Sequence, residues 1–280
     1  YFGNGLHGFF SDCDNRRINH FVLEALAGEP YFPWSENFAA AFRTRYGYPV
    51  EPHLDDILKG SAPQAQENYW QLAGELYQQW FAHNHAWCRA NGLSYTFHTS
   101  DTGPLTLSAC RRSSIFSEGD PFTLLAHSDY PGTDHEILLL DGGTHYDRRY
   151  RIPAALWGTG EKPRDSDFAN TAFDLRAKYA ASAAFMFRRK RVMCEMFAAT
   201  NFSASFQDLR RIAAWQIMQG VNFIVPHAVH HRFHGSTKFF APPEFLHGSL
   251  RTGLREFNDD LAHWCEIAAM GSLSAAVAVI

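Results

Sequence analysis

Short β-rich runs alternate with helical stretches along the second half of this chain, and this alternation limits the fold more than any other feature. The strand-like runs are Leu93–His98, Arg191–Phe197 and Val221–Pro226. Helical periodicity fills Ala172–Arg189 and Ser205–Gly220 between them. Because parallel neighbouring strands need a crossover connection, usually a helix, the pattern predicts an α/β fold with a parallel sheet.

The same pattern extends towards both ends of the chain. Leu6–Asp12 is an apolar run with a polar end, typical of a buried strand, and Ala275–Ile280 is apolar enough to begin another strand. Helices are predicted at Glu36–Tyr46, at 63–92 and at Glu256–Met270. The length of 280 residues lies near the ~250 residues of a single barrel. We therefore expect residues 1–280 to form one domain, a (β/α)8 barrel of the TIM type that is incomplete at its N-terminal end.

Composition narrows the classes of partner. The formal net charge is −4 with both signs mixed along the chain, so no basic stripe is available to nucleic acid. The longest apolar runs are far shorter than the ~20 residues of a membrane span. Five cysteines without CxxC spacing favour reduced thiols in a cytoplasmic protein, while secretion or periplasmic export stays open if a signal peptide has been removed. The sequence does not determine the oligomeric state.

Polar residues lie where the predicted strands end. In a parallel βα fold the active site gathers at the carboxyl ends of the strands. The strand ends of this chain supply Asp12, His98, Asp101, Asp134, His135, Glu136, Asn222 and His227. We predict that Asp12 is catalytic and that the others bind substrate.

Glu195 is different because it lies inside its strand, within the apolar run Met193–Phe197. A buried carboxylate is costly unless it is paired, and charged residues in such positions cluster at active sites. The functional interpretation is a catalytic base or nucleophile. The alternative is a structural carboxylate bonded to an arginine such as Arg191 or Arg211.

Metal and cofactor motifs are weak. Four histidines follow the last strand and could chelate zinc if they lay at helical spacing: His227, His230, His231 and His234. They come directly after Pro226, so helical spacing is not assured and no metal site is predicted there. The triplet 134–136 could bind Ca²⁺, although it lacks the oxygen ligands of a recognised loop. We predict no required cofactor, with calcium left open as an assistant.

Phosphate loops of the GxxxxGK[ST] and GxGxxG types are absent, and so is a GxSxG elbow. Nucleotide enzymes and α/β hydrolases therefore lose support. Glycosidic cleavage normally uses two carboxylates, so Glu195 needs a partner. Spacing alone does not choose among Asp12, Asp14, Asp134 and Glu136.

Longer strings of the sequence resemble a known family. Arg191–Val229 contains an R-V-x-x-E-x-F strand, a helix ending W-Q-x-x-x-G-V-N and a P-H strand end. This segment resembles the late barrel segment of the large α-L-rhamnosidase-like glycoside hydrolases. The resemblance extends to Ala241–Phe245 and Glu256–Ala262, which are similar to the family's segment before its last barrel helix. The family resemblance also includes Tyr130–Glu136 and Gly8–Asp12. The resemblance implies that Glu195 is the catalytic carboxylate. It also implies that the first barrel strands and accessory β domains lie outside this chain.

One position departs from the family pattern. Relatives tend to read S-D-E-P where this chain has Ser11-Asp12-Cys13-Asp14, so that Cys13 occupies the glutamate position. A thiol cannot readily replace a carboxylic acid as proton donor. Either Asp12 or Asp14 is the acid, another loop supplies it, or the protein is catalytically altered.

The sequence therefore predicts a glycosidase that removes a terminal rhamnose-like or other neutral sugar from an oligosaccharide, polysaccharide or glycoconjugate. Glu195 is the base or nucleophile and Asp12 the acid, with Trp34 and Trp215 as candidate stacking surfaces. Two alternatives stay open. One is a catalytically silent carbohydrate-binding barrel, suggested by Cys13, and the other is a metal-dependent hydrolase built on the histidines.

Overall fold

The computed structural model describes residues 2, 4–12, 33–98, 120–135, 176–197, 204–229, 245–246 and 248–271. Within these ranges short strands alternate with helices of very different lengths. In chain order the elements are β1 (Gly8–Ser11), α1 (Phe38–Tyr46), α2 (Leu54–Lys59), α3 (Pro63–Ala90), β2 (Ser94–Phe97), α4 (Pro121–Leu125), β3 (Gly132–His135), α5 (Arg176–Met186), β4 (Met193–Met196), α6 (Phe206–Met218), β5 (Phe223–Pro226) and α7 (Leu254–Met270). Two 3₁₀ turns, Glu51–His53 and Ser249–Gly253, precede α2 and α7.

The strands form two small parallel sheets. β1 pairs with β2, and β3, β4 and β5 form a second sheet in that order. A single parallel bridge between His98 and Gly132 connects the edge of the first sheet to the edge of the second. Gly132 permits this approach, because a Cβ at that position would lie 2.3 Å from the carbonyl oxygen of Phe97. The five strands consequently follow one another in chain order.

The predicted (β/α)8 barrel is wrong. The described residues contain five strands of four residues each, in sheets of two and three strands, and these do not close into a barrel. Strand–helix alternation fixes which strands become parallel neighbours. Closure is a separate condition, because it needs strand number, tilt and stagger that agree around a full ring. The observed architecture is mixed and largely helical, with two small parallel sheets.

Helix ends follow local signals in the sequence. α1 ends where predicted, at Gly47, whose φ of 80° lies in the left-handed region that favours glycine. α3 has Pro63 in its first turn, where the missing N–H costs nothing. α6 begins with a capping box in which the side chains of Ser205 and Asp208 bond to each other's backbone N–H groups.

The helices pack against one face of the strands and form the main core there. Buried side chains of the strands, such as Phe97, Cys194 and Met196, contact Leu209 of α6 and Phe257 of α7 within one hydrophobic cluster. A second cluster joins α1, α2 and the first half of α3. No helix in the described part of the chain is both long and apolar enough to cross a membrane.

The described cysteines belong to this buried interior. Cys88, Cys194 and Cys265 are buried and form no disulfide. Burial raises the pKa of the Cys88 and Cys265 thiols, so both stay protonated and unreactive near neutral pH. Cys13 and Cys110 lie outside the described residues.

The opposite face of the strands carries the polar side chains. Residues paired across a parallel ladder point to the same side of a sheet, and side chains alternate along each strand. The pairs Phe10–Thr96, His98–Gly132 and Asp134–Glu195 thus place one row of side chains on the face away from the helices. This face positions the candidate site at the carboxyl ends of the strands.

Candidate active site

Three strands bring a cluster of two carboxylates and an imidazole together. Asp12 directly follows β1, His98 directly follows β2, and Glu195 lies near the end of β4. His98 Nε2 is 3.0 Å from Glu195 Oε2 and 3.3 Å from Asp12 Oδ1. His98 therefore lies between the two carboxylates, although 97 residues of sequence separate it from Glu195.

The three side chains differ strongly in exposure. The side chain of His98 is 0% exposed, that of Glu195 is 11% exposed and that of Asp12 is 71% exposed. A group that approaches from solvent consequently meets Asp12 first and Glu195 at the bottom of the site. A proton donor at the rim and a second carboxylate below it can act on opposite sides of one bond.

His98 holds the geometry of both carboxylates. With Nε2 protonated, the imidazole donates its N–H to Glu195, a tautomer we assign from the surrounding acceptors. One carboxylate oxygen of Asp12, one of Glu195 and the His98 nitrogen all lie within 4.8 Å of one another. Because an ion-paired or charge-assisted hydrogen bond is stronger than a neutral one, this contact restricts the Glu195 side chain to one orientation.

Two further predicted residues lie beside Glu195. His227 follows β5, and its Nε2 is 3.9 Å from Glu195 Oε1. Asp134 is the ladder partner of Glu195 on β3, and it is buried with 3% exposure. The structure thus places Asp12, His98, Asp134, Glu195 and His227 together on one face.

Asn222 lies elsewhere. It precedes β5 rather than following a strand, so it is at the amino end of the sheet. Its side-chain oxygen accepts a hydrogen bond from the N–H of Val192 at 2.7 Å, and its amide nitrogen donates to the carbonyl of Lys190 at 3.1 Å. These bonds align β5 with β4. Asn222 therefore has a structural role, at the end of the strands that is opposite to the carboxylates.

Several predicted residues fall outside what the structure describes. They are Asp101 and Glu136, the alternative acid Asp14, and His230, His231 and His234. For His135 only the backbone is described, as part of β3. Of the candidate stacking residues, Trp34 packs against Phe38 of α1 and Trp215 lies within α6.

Arg191 does not fill the structural role considered for it. Its guanidinium donates to Glu266 on α7 and to the carbonyl oxygen of Asn222. The Glu195 carboxylate instead lies beside the imidazoles of His98 and His227.

The cluster also has the donors of a small metal site. Asp12, His98 and Glu195 each offer one ligand atom, and two carboxylates with one imidazole suit zinc or manganese better than calcium. Calcium takes about six to eight oxygen ligands. These three residues therefore fit poorly as ligands of the calcium ion that the sequence left open.

Sequence reasoning missed Phe10. Its ring centroid is 5.5 Å from that of His98 and its side chain is 40% exposed beside the carboxylates. An aromatic residue in an apolar strand normally belongs to the core, so its residue type did not indicate that it lies at the site. Its place two residues before Asp12 was the available signal, because positions i and i+2 share one face of a strand.

Comparison with known proteins finds a similarity of structure but none of sequence family. No protein-family model matches this chain, and no curated protein does. Its fold is similar to the solved structure of a rhamnosidase from Novosphingobium sp. PP1Y, with a TM-score of 0.55, 16% sequence identity and 85% of this chain covered. The chain spans only 21% of the length of that protein. At this identity the likeness is one of fold alone.

Proposed function

We propose that this chain carries the active site of a glycoside hydrolase that removes a terminal rhamnose-like or other neutral sugar. The observation that carries the proposal is the close pair of carboxylates, Asp12 and Glu195, joined by His98. The fold likeness to a rhamnosidase is consistent with a glycoside hydrolase. The role of Glu195 as the catalytic carboxylate rests on the resemblance of Arg191–Val229 to rhamnosidase-like enzymes.

The mechanism assigns one task to each side chain. Asp12, exposed at the rim, donates a proton to the glycosidic oxygen as the bond to the leaving group breaks. Glu195, below it, attacks the anomeric carbon, and His98 keeps its carboxylate in place. Asp12 then removes a proton from the water that releases the sugar from Glu195. Asp134 and His227, beside Glu195, are placed to bind sugar hydroxyls.

The separation of the carboxylates predicts the stereochemistry. Retaining glycosidases hold the two carboxyl groups about 5–5.5 Å apart, and inverting enzymes hold them about 6.5–9.5 Å apart to admit a water. One oxygen of Asp12 and one oxygen of Glu195 lie within 4.8 Å of each other, which is nearer to the retaining separation than to the inverting one. We therefore expect retention of the anomeric configuration.

The experiment is a panel of 4-nitrophenyl glycosides that includes rhamnosides, mannosides, fucosides and glucosides of both anomers. We expect turnover of at least one neutral or deoxy sugar, and ¹H NMR early in the reaction should show a product with the anomeric configuration of the substrate. Inversion would exclude the Asp12–Glu195 pair as acid and nucleophile. Failure to hydrolyse any member of the panel would favour the catalytically silent alternative that Cys13 suggests.

A metal-dependent hydrolase is the second candidate, because the three donor atoms of Asp12, His98 and Glu195 lie so close together. The glycosidase proposal needs no ion, since the 3.0 Å contact between His98 and Glu195 is already satisfied as a hydrogen bond. We expect prolonged dialysis against EDTA or phenanthroline to change kcat by less than about twofold. Removal of an essential Lewis acid would instead raise the free energy of the transition state by several kcal/mol. Elemental analysis before and after dialysis provides the control. Loss of activity that zinc or manganese restores would establish the metal alternative instead.

A further inference from the structure

Two neighbouring phenylalanines of β1 have similar exposure but different surroundings. Phe9 is 43% exposed and Phe10 is 40% exposed. Side chains alternate along a strand, so Phe9 points to the helix-covered face, where its ring lies 6.2 Å from that of Trp87 on α3. Phe10 points to the face of the carboxylates.

The ring of Phe10 lies at the edge of the catalytic cluster. Its centroid is 5.5 Å from the His98 imidazole, with the two planes inclined at 40°. His98 is fully buried, whereas much of the Phe10 ring stays exposed. The ring therefore lies beside the imidazole, on the face of the strands that carries Asp12 and Glu195, and much of it is exposed.

This combination matches the two-sided chemistry of a sugar. A pyranose presents hydroxyl groups around its rim and C–H groups on its faces, so a site for it needs polar groups and an apolar surface that meet at an angle. Phe10 has no polar atom of its own to satisfy, and exposing it to water is unfavourable. A bound sugar ring covers it without displacing any hydrogen bond of the protein.

We infer that Phe10 is the aromatic surface against which the C–H face of the sugar packs, beside Asp12 and Glu195. The inference rests on the proposed function, and it makes Phe10 a substrate-binding residue that takes no part in the chemical step. Packing of this kind contributes equally to the bound substrate and to the transition state, so it acts on KM and not on kcat.

The test compares Phe10→Leu with the matched variant Phe9→Leu, which removes a ring of the same exposure from the other face. For the most active glycoside of the panel, we expect Phe10→Leu to raise KM roughly tenfold with kcat changed by less than about twofold. Phe9→Leu should leave both constants at the wild-type level. Phe10→Trp, which keeps an aromatic surface, should restore a KM close to that of the wild type. Thermal denaturation of all four proteins shows whether each is folded.

Binding of free L-rhamnose, measured by calorimetry, separates this inference from the proposed function. If no glycoside is hydrolysed but Phe10→Leu alone weakens rhamnose binding about tenfold, the proposed function fails and the role of Phe10 stands. If glycosides are hydrolysed while KM and rhamnose affinity are unchanged in Phe10→Leu, the role of Phe10 is refuted. A fall in kcat with a shifted pH profile would also refute it, because Phe10 would then act only by covering His98. Absence of both turnover and sugar binding would refute both proposals.

Discussion

Replacing Glu195 with glutamine lowers kcat on the order of 10⁴-fold and leaves the protein folded, if Glu195 is the nucleophile. The amide has the size of the carboxylate and keeps an oxygen that accepts the His98 N–H at the same place. It carries no negative charge, so it neither attacks the anomeric carbon nor stabilises the positive charge of the transition state. Because the change is nearly isosteric, we expect the melting temperature to stay within a few degrees of the wild type.

Glu266→Gln is the matched control for this variant. Glu266 is an acid on α7 that pairs with Arg191, and its side chain is 60% exposed. An exposed ion pair contributes only about 0–1 kcal/mol, so this variant should keep the wild-type kcat. Azide added to Glu195→Ala should recover part of the lost rate and yield a glycosyl azide, because the small anion takes the place of the missing nucleophile. Activity within about tenfold of the wild type in Glu195→Gln would instead identify a structural carboxylate.

Much of the local structure could be predicted from the sequence. Gly47 and the Ser205–Asp208 pair mark helix ends through short-range chemistry, and both lie at helix ends in the structure. Glu195 stood out because a charge inside an apolar strand needs a reason. These signals depend on residues within a few positions of one another, so a single sequence contains them in full.

The wrong or missing parts depend on distant pairings. The prediction of a closed barrel was wrong because strand–helix alternation does not determine how many strands a sheet contains or whether its two edge strands pair with each other. Asn222 was grouped with the residues at the carboxyl ends of the strands, whereas it lies before β5, at the amino end of that strand. The contact of His98 with Glu195 depends on the bridge between His98 and Gly132, which sets the register between the two sheets. No pattern within one strand contains that register.

The position of Asp12 leads to the second large effect. If Asp12 is the proton donor, its contribution to kcat/KM should be larger for leaving groups that need a proton in order to depart. We expect Asp12→Asn to lower kcat/KM by about 10²–10⁴-fold for an alkyl glycoside or a natural disaccharide, which is the usual contribution of general acid catalysis. For a 2,4-dinitrophenyl glycoside the same variant should lose little in the first step, because that phenolate leaves without protonation.

The control for Asp12→Asn is Asp259→Asn, which removes an exposed acid from α7 at a distance from the strand ends. This change should leave both classes of substrate unaffected and so excludes a general effect of net charge. An equal loss on activated and unactivated substrates would contradict the acid role and would identify Asp12 as a residue that only orients His98, whose Nε2 lies 3.3 Å from its carboxylate. Because the alternative acids Asp14 and Glu136 would keep their carboxyl groups in Asp12→Asn, wild-type activity of the variant towards alkyl glycosides would transfer the role to one of them. Dependence on the leaving group thus distinguishes a donor at position 12 from a neighbour that serves only to hold the imidazole between two carboxylates.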